Sequence, residues 1–231
     1  MKVRIRFKKY GVMKYIGHLD TMRYFQKAIR RSEIPIHYSG GFSAHQIMSF
    51  AFPLGVGIIG EREYMDIEMD EGLTSDEIVN RLNAQMVEGV EVLDAVRLDD
   101  KAINAMASVK AADYTITLKD GGCFPESINT DSVSAFLSRD TIPYVKVTSK
   151  NETEIDLKEH IYDLSFRDGS LYMRVDASSA GNLKPVTLLE ELFKFTDDEF
   201  DECIYLITRN ELYMQDEEGR LQSLLSAGIR I

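Results

Sequence analysis

The chain has 231 residues, of which 44% are hydrophobic and 28% charged, and carries a formal net charge of −11. That length can build one large domain or two small ones, and the balance of apolar and charged residues excludes wholesale disorder. No apolar run approaches the roughly 20 residues that cross a bilayer, and two distant cysteines, Cys123 and Cys203, make no secreted disulfide framework.

Charge is segregated along the chain. Residues 1–60 hold ten Lys/Arg against only Asp20 and Glu33, so the rest of the chain carries all the acidic excess. Segregation on that scale implies that the front end faces an anion, either RNA or the protein's own acidic half. Residues 1–6 alternate charge and apolar side chains and so lack the apolar block of a secretory signal. The expected setting is the cytoplasm, with reduced thiols and no membrane contact.

Val3, Ile5 and Phe7 alternate with Lys2, Arg4, Arg6 and Lys8, which predicts a half-buried strand over 2–8. Leu19, Met22, Phe25 and Ile29 fall at helical spacing and predict a helix over 18–32, with Arg23, Lys27, Arg30 and Arg31 on its other side. Strands are expected at 46–52 and 62–69. Thr74 and Glu77 form a capping box that opens a helix over 75–87, with Ile78, Leu82 and Met86 inward. Val90–Leu98 completes a β-α-β-β-α-β order, that of a ferredoxin-like fold, over residues 1–98.

Residues 99–112 read as a linker or short helix. A second α+β unit over 113–231, which could also be ferredoxin-like, follows. It comprises a strand at Tyr114–Leu118, a helix at 130–138, a strand at 143–148 and a hairpin of 160–167 with 170–176 about Asp168-Gly169. A second capping box at Thr187 and Glu190 opens a helix to about 195, and Ile204–Met214 is the last strand.

In a ferredoxin-like unit both helices cover one sheet face. Lys2, Arg4, Arg6 and Lys8 would then project from the open face, which several RNA-binding modules use. The competing expectation is that the acidic second half packs there and the arginines make internal ion pairs. The basic helix face is a second patch, with almost no acid interleaved.

Between these elements, Tyr38, Ser39, Gly40, Gly41, Phe42 and Ser43, flanked by His37 and His45, combine aromatics, hydroxyls, imidazoles and a flexible glycine pair. Glycines admit close backbone approach and anion-binding nests, so this is the leading ligand loop. It could equally be a turn whose aromatics plug the core. His37, His45 or His18 could act as the base of a metal-independent ribonuclease. Gly55, Gly57 and Gly60 match a dinucleotide fingerprint literally, but the alternation from Glu61 onward predicts a strand where that site needs a helix. Metal motifs are missing, and no metal site is expected.

The run Lys14-Tyr15-Ile16-Gly17-His18-Leu19-Asp20, then Arg30-Arg31, Tyr38-Ser39-Gly40-Gly41-Phe42, Ser49-Phe50-Ala51, Pro53-Leu54-Gly55-Val56 and Glu63–Glu68, resembles the radical-SAM-linked domain of unknown function. That bacterial family is fused to or encoded beside radical SAM proteins. The likeness is specific over about residues 1–70. Where the family commonly shows proline and lysine after the turn, this chain has Ser43-Ala44-His45-Gln46, without the cation.

The resemblance implies a partner that holds an iron–sulfur cluster and S-adenosylmethionine. This chain lacks the cysteine triad for such a cluster, so no cofactor of its own is expected. Three functions stay open: a non-catalytic RNA-binding or substrate-presenting accessory, a ribonuclease, and a protein–protein adaptor.

Overall fold

The structure, a computed structural model, describes residues 1–147 and 152–231. The chain forms two compact units, Met1–Lys110 with Arg209–Ile231, and Ala111–Thr208. In chain order the first unit opens with β1 (Lys2–Lys9), α1 (His18–Arg31), β2 (Met48–Phe50), β3 (Ile59–Glu68), α2 (Ser75–Asn83), β4 (Val90–Leu98) and α3 (Ala105–Ser108). The second holds β5 (Ala111–Leu118), α4 (Thr130–Ser138), β6 (Pro143–Val147), β7 (Glu152–Asp156), β8 (Ile161–Arg167), β9 (Ser170–Asp176) and α5 (Pro185–Thr196). Then come β10 (Tyr205–Gln215), β11 (Leu221–Ser223) and β12 (Gly228–Ile229). The class is mixed α+β.

In the first unit the strands pair in the order β4-β1-β3-β2, antiparallel throughout. Val3, Ile5 and Phe7 meet Phe25 and Ile29 of α1 and Ile78 and Leu82 of α2 in one core. The buried stripe of α1 is Thr21, Phe25, Ala28 and Ile29. Leu19, expected inward, is 61% exposed. Six residues before Phe25, it lies about 120° around the helix from the core-facing line.

The Thr74–Glu77 capping box forms, its side chain and backbone bonds at 2.8 and 3.2 Å. The helix it opens stops at Asn83, four residues short of expectation. There the Asn83 amide bonds both the N–H and the C=O of Val92, each at 2.8 Å, and ties the helix end to β4. Met86 packs against the core from the turn beyond. The strand expected at 46–52 pairs only over Met48–Phe50, and β3 starts at Ile59, three residues before its expected start. The expected linker, 99–112, carries α3 and the first residues of β5.

The larger difference is at the C-terminus. The expected second domain ran to residue 231, but the chain from Arg209 on belongs to the first unit. β12 pairs with the outer edge of β4, Gly228 opposite Leu98, and Ile231 exchanges backbone and side-chain bonds with Ser75. Arg230 pairs with Asp94 at 2.9 Å and also with Asp76. These contacts are long-range in sequence, so no local pattern announces them.

In the second unit β5, β9 and β8 pair antiparallel, and β6 with β7 forms a separate two-stranded hairpin. Residue 148 of the expected 143–148 strand lies outside the described residues. The β8–β9 hairpin turns at Asp168 and Gly169, both at positive φ (49° and 72°), as a tight two-residue turn needs. Asn129 caps α4 with bonds to the backbone of Asp131 and Ser132. The capping box expected at Thr187 does not form. The helix begins two residues earlier at Pro185, whose fixed φ and missing N–H suit a first helical position, so Thr187 sits inside the first turn.

Two substitutions separate these helix starts. Thr74→Ala should cost about 1 kcal/mol of stability by urea unfolding, as loss of a cap does. Thr187→Ala, with no cap to lose, should stay within about 0.5 kcal/mol.

Candidate nucleic-acid interface

The cations of β1 were expected either on an open face or paired with the acidic second half, and the strand register puts residues of the same unit opposite them. Lys2, Arg4 and Arg6 stand opposite Glu68, Asp66 and Tyr64 of β3, while Arg6 and Lys8 stand opposite Asp94 and Glu91 of β4. Arg4 is fully buried. Its guanidinium binds Asp66 through two bonds, 2.8 and 3.0 Å, and donates to the carbonyls of Leu224 and Ile103. Arg4 therefore does not project from an open face, which corrects that expectation. Lys8 pairs with Glu91 at 3.0 Å, Arg6 lies 3.7 Å from Asp94, and Lys2 donates to the carbonyl of Asp100. The acids come from neighbouring strands of the same unit, and the Leu224 carbonyl of the returning C-terminal segment closes over Arg4.

The cations of α1 have a different environment. Arg23, Lys27 and Arg30 line one side of an open groove of about 340 Å³, and Tyr38, His45 and Gln46 line the other. Arg23 makes one exposed contact with Asp20 at 3.2 Å, a pair of little energetic weight. Lys27 and Arg30 are exposed and make no ion pair among the described residues. Arg31 is exposed as well but does not line the groove. The groove thus joins the basic helix face to the glycine loop, two features that are separate in the sequence.

The loop is a small hairpin. Tyr38 and Gln46 form an antiparallel bridge, and the backbone bonds Ser39 N–H to His45 O and Ile47 N–H to His37 O close it. Gly41 takes φ 98°, open to solvent, so its role is conformational. Tyr38 is half-exposed and Phe42 wholly exposed, so neither aromatic plugs the core. Gly40 and Ser43 are also exposed, with Ser39 half-buried.

The three histidines separate. His45 Nδ1 sits 2.9 Å from the Ser39 hydroxyl, which leaves Nε2 as its free nitrogen. His37 pairs with Asp70 at 2.7 Å. His18 stacks edge-on against Phe50 and lines a different cavity, of about 20 Å³, with Lys9, Thr21 and Glu63. Only His45 is on the groove.

That small cavity holds residues the sequence reading passed over. Lys9 shares the parity of Val3, Ile5 and Phe7, which is the signal that could have placed it inside. It is buried and donates to the carbonyl of Ile16 at 2.7 Å. Glu63 beside it forms a two-bond pair with buried Arg209, whose Nε lies 2.8 Å from Oε1. On the outer face, the Tyr64 hydroxyl donates to Glu211 at 2.5 Å, and burial raises the pKa of both groups.

Among the described residues no cluster of His, Cys, Asp or Glu could hold a metal ion, and no helix is long and apolar enough to cross a membrane. The chain belongs to the family described as an uncharacterized protein conserved in bacteria (DUF2344), which matches residues 2–185. The match takes in α1 and the hairpin loop and stops short of Arg209. No curated protein matches the chain.

Burial pushes the Lys9 ammonium below its ordinary pKa, with Glu63 opposing and Arg209 reinforcing the shift. The unfolded chain therefore binds that proton more tightly than the folded one. Stability should rise as pH climbs from the folded value of Lys9 toward the ordinary lysine value. Urea midpoints at several pH values should show this rise in the wild type relative to Lys9→Met.

Proposed function

We propose that this member of an uncharacterized bacterial family is a non-catalytic accessory that binds RNA through the groove between α1 and the 38–46 hairpin. The observation that carries the reading is the pairing state of the cations. Those of β1 are held by acids or carbonyls, whereas Lys27 and Arg30 stand beside Arg23 with no ion pair among the described residues. A phosphate chain supplies the missing counter-charge and releases its condensed ions on binding.

Two further parts of the reading rest on resemblance. The element order of the first unit, with strands β4-β1-β3-β2, supports a ferredoxin-like assignment, and the order in the second is compatible with another. Fold likeness by itself is weak ground for function. The likeness over residues 1–70 to the radical-SAM-linked family supports a radical SAM protein as the partner that performs chemistry on the bound substrate. The reading places that work in the cytoplasm.

Fluorescence anisotropy with a single-stranded RNA across a salt series tests the groove. Lys27→Gln/Arg30→Gln should weaken binding and reduce the slope of log affinity against log salt by roughly 1.4, two contacts at about 0.7 each. Lys8→Gln, whose cation is already paired, should bind as wild type does. Wild-type chain with no affinity at low salt ends the RNA reading and favours a protein–protein adaptor. Cleavage of the probe that stops in His45→Ala favours a ribonuclease.

A further inference from the structure

Gln46 sits at the base of the cationic groove and is only 7% exposed. Its Nε2 donates to the carbonyl of Gln26 on α1 at 3.2 Å and reaches the Tyr38 hydroxyl at 3.4 Å. The Gln26 carbonyl can only accept, so the amide nitrogen must face it and the amide cannot be turned over. Oε1 is then left without a donor among the described residues and is closed to solvent, so a ligand donor reaches it only when the side chains over it part. A buried acceptor left unpaired is costly, and native proteins rarely leave one without a partner.

The surroundings say what kind of partner would fit. Three cations on the α1 side call for an anion. Tyr38 exposes about half its surface on the opposite wall, and Phe42 is fully exposed at the hairpin tip. The vacant acceptor calls for an N–H donor. A nucleotide combines phosphate, a flat aromatic ring and N–H groups on the ring edge. A base paired within a duplex has its ring faces covered and those N–H groups occupied, whereas an unstacked base in a single strand presents both.

We infer that the groove takes one unstacked nucleotide of a single strand, with its phosphate on Lys27 and Arg30, its base against Tyr38, and a base N–H donating to Gln46 Oε1. This rests on the RNA reading above and goes beyond it, because backbone binding alone needs neither Tyr38 nor Gln46. The site reads the presence of a free base edge, and duplex RNA is excluded from it.

The test uses the full chain and labelled octamers: the four RNA homopolymers, an abasic octamer of equal charge, and a counterpart of the tightest homopolymer whose base N–H groups are methylated. The tightest homopolymer should bind at least about tenfold better than the abasic octamer, the scale of one base–aromatic stack. Tyr38→Ala should remove most of that difference and leave the salt slope unchanged, since tyrosine carries no charge. Methylation should weaken wild-type binding severalfold and have no effect on Gln46→Met, whose fold is checked by circular dichroism.

Equal affinity for the abasic and base-bearing octamers would overturn the inference while leaving an anion groove standing. Preference for a blunt RNA duplex over every single strand would overturn it as well. Absence of binding to any octamer, abasic included, removes the RNA reading itself and the inference with it.

Discussion

The first unit is organised by buried cations that must each find a full set of partners. Arg4 and Arg209 are both essentially inaccessible, and each makes a two-bond pair with an acid of β3, Asp66 and Glu63. An ion in that setting is tolerated only when charge and hydrogen bonds are both satisfied. The acids alone do not suffice. Arg4 also donates to the carbonyls of Leu224 and Ile103, and Arg209 donates to those of Phe52 and Pro53. Satisfying Arg4 therefore requires the C-terminal segment to return across the sheet, and the position of residues 209–231 follows.

That constraint also divides the basic residues by role. A cation with a close acid and a covered face contributes to the unit's structure and presents little charge to a partner. Lys8 and Arg6 lean on Glu91 and Asp94, and Lys2 on a carbonyl, so the β1 face offers no row of free charges. On α1 the same residue types stand on a solvent face whose acids are sparse, and the 38–46 hairpin builds a second wall opposite them. Electrostatic availability, rather than the number of lysines and arginines, separates a binding surface from an internal network.

Much of the local structure could be read directly. The alternation of 2–8, the span of Val90–Leu98, the helix over 130–138 and the turn at Asp168-Gly169 all come from periodicity or turn chemistry, which act between near neighbours. Departures arise where a tertiary contact or a competing local signal overrides the pattern. Asn83 ends α2 because Val92 offers it both a donor and an acceptor, and Pro185 starts α5 ahead of the apparent cap at Thr187. Leu19 is apolar yet exposed because helix geometry, and not hydrophobicity alone, decides which side of α1 meets the core.

The sequence by itself determined β1, α1, β4 and the cap that opens α2, the concentration of positive charge in residues 1–60, and the hairpin loop as the place with the most varied chemistry. These depend on neighbours within a few residues, whose spacing is written in the chain. Only the tertiary structure decided which cations are free. Arg4 and Arg30 are indistinguishable as residues. One faces Asp66 across a strand pair and a carbonyl 220 positions away, while the other faces solvent beside Tyr38 and Gln46. Pairing across long sequence separations is set by register and chain return, and neither leaves a local signature.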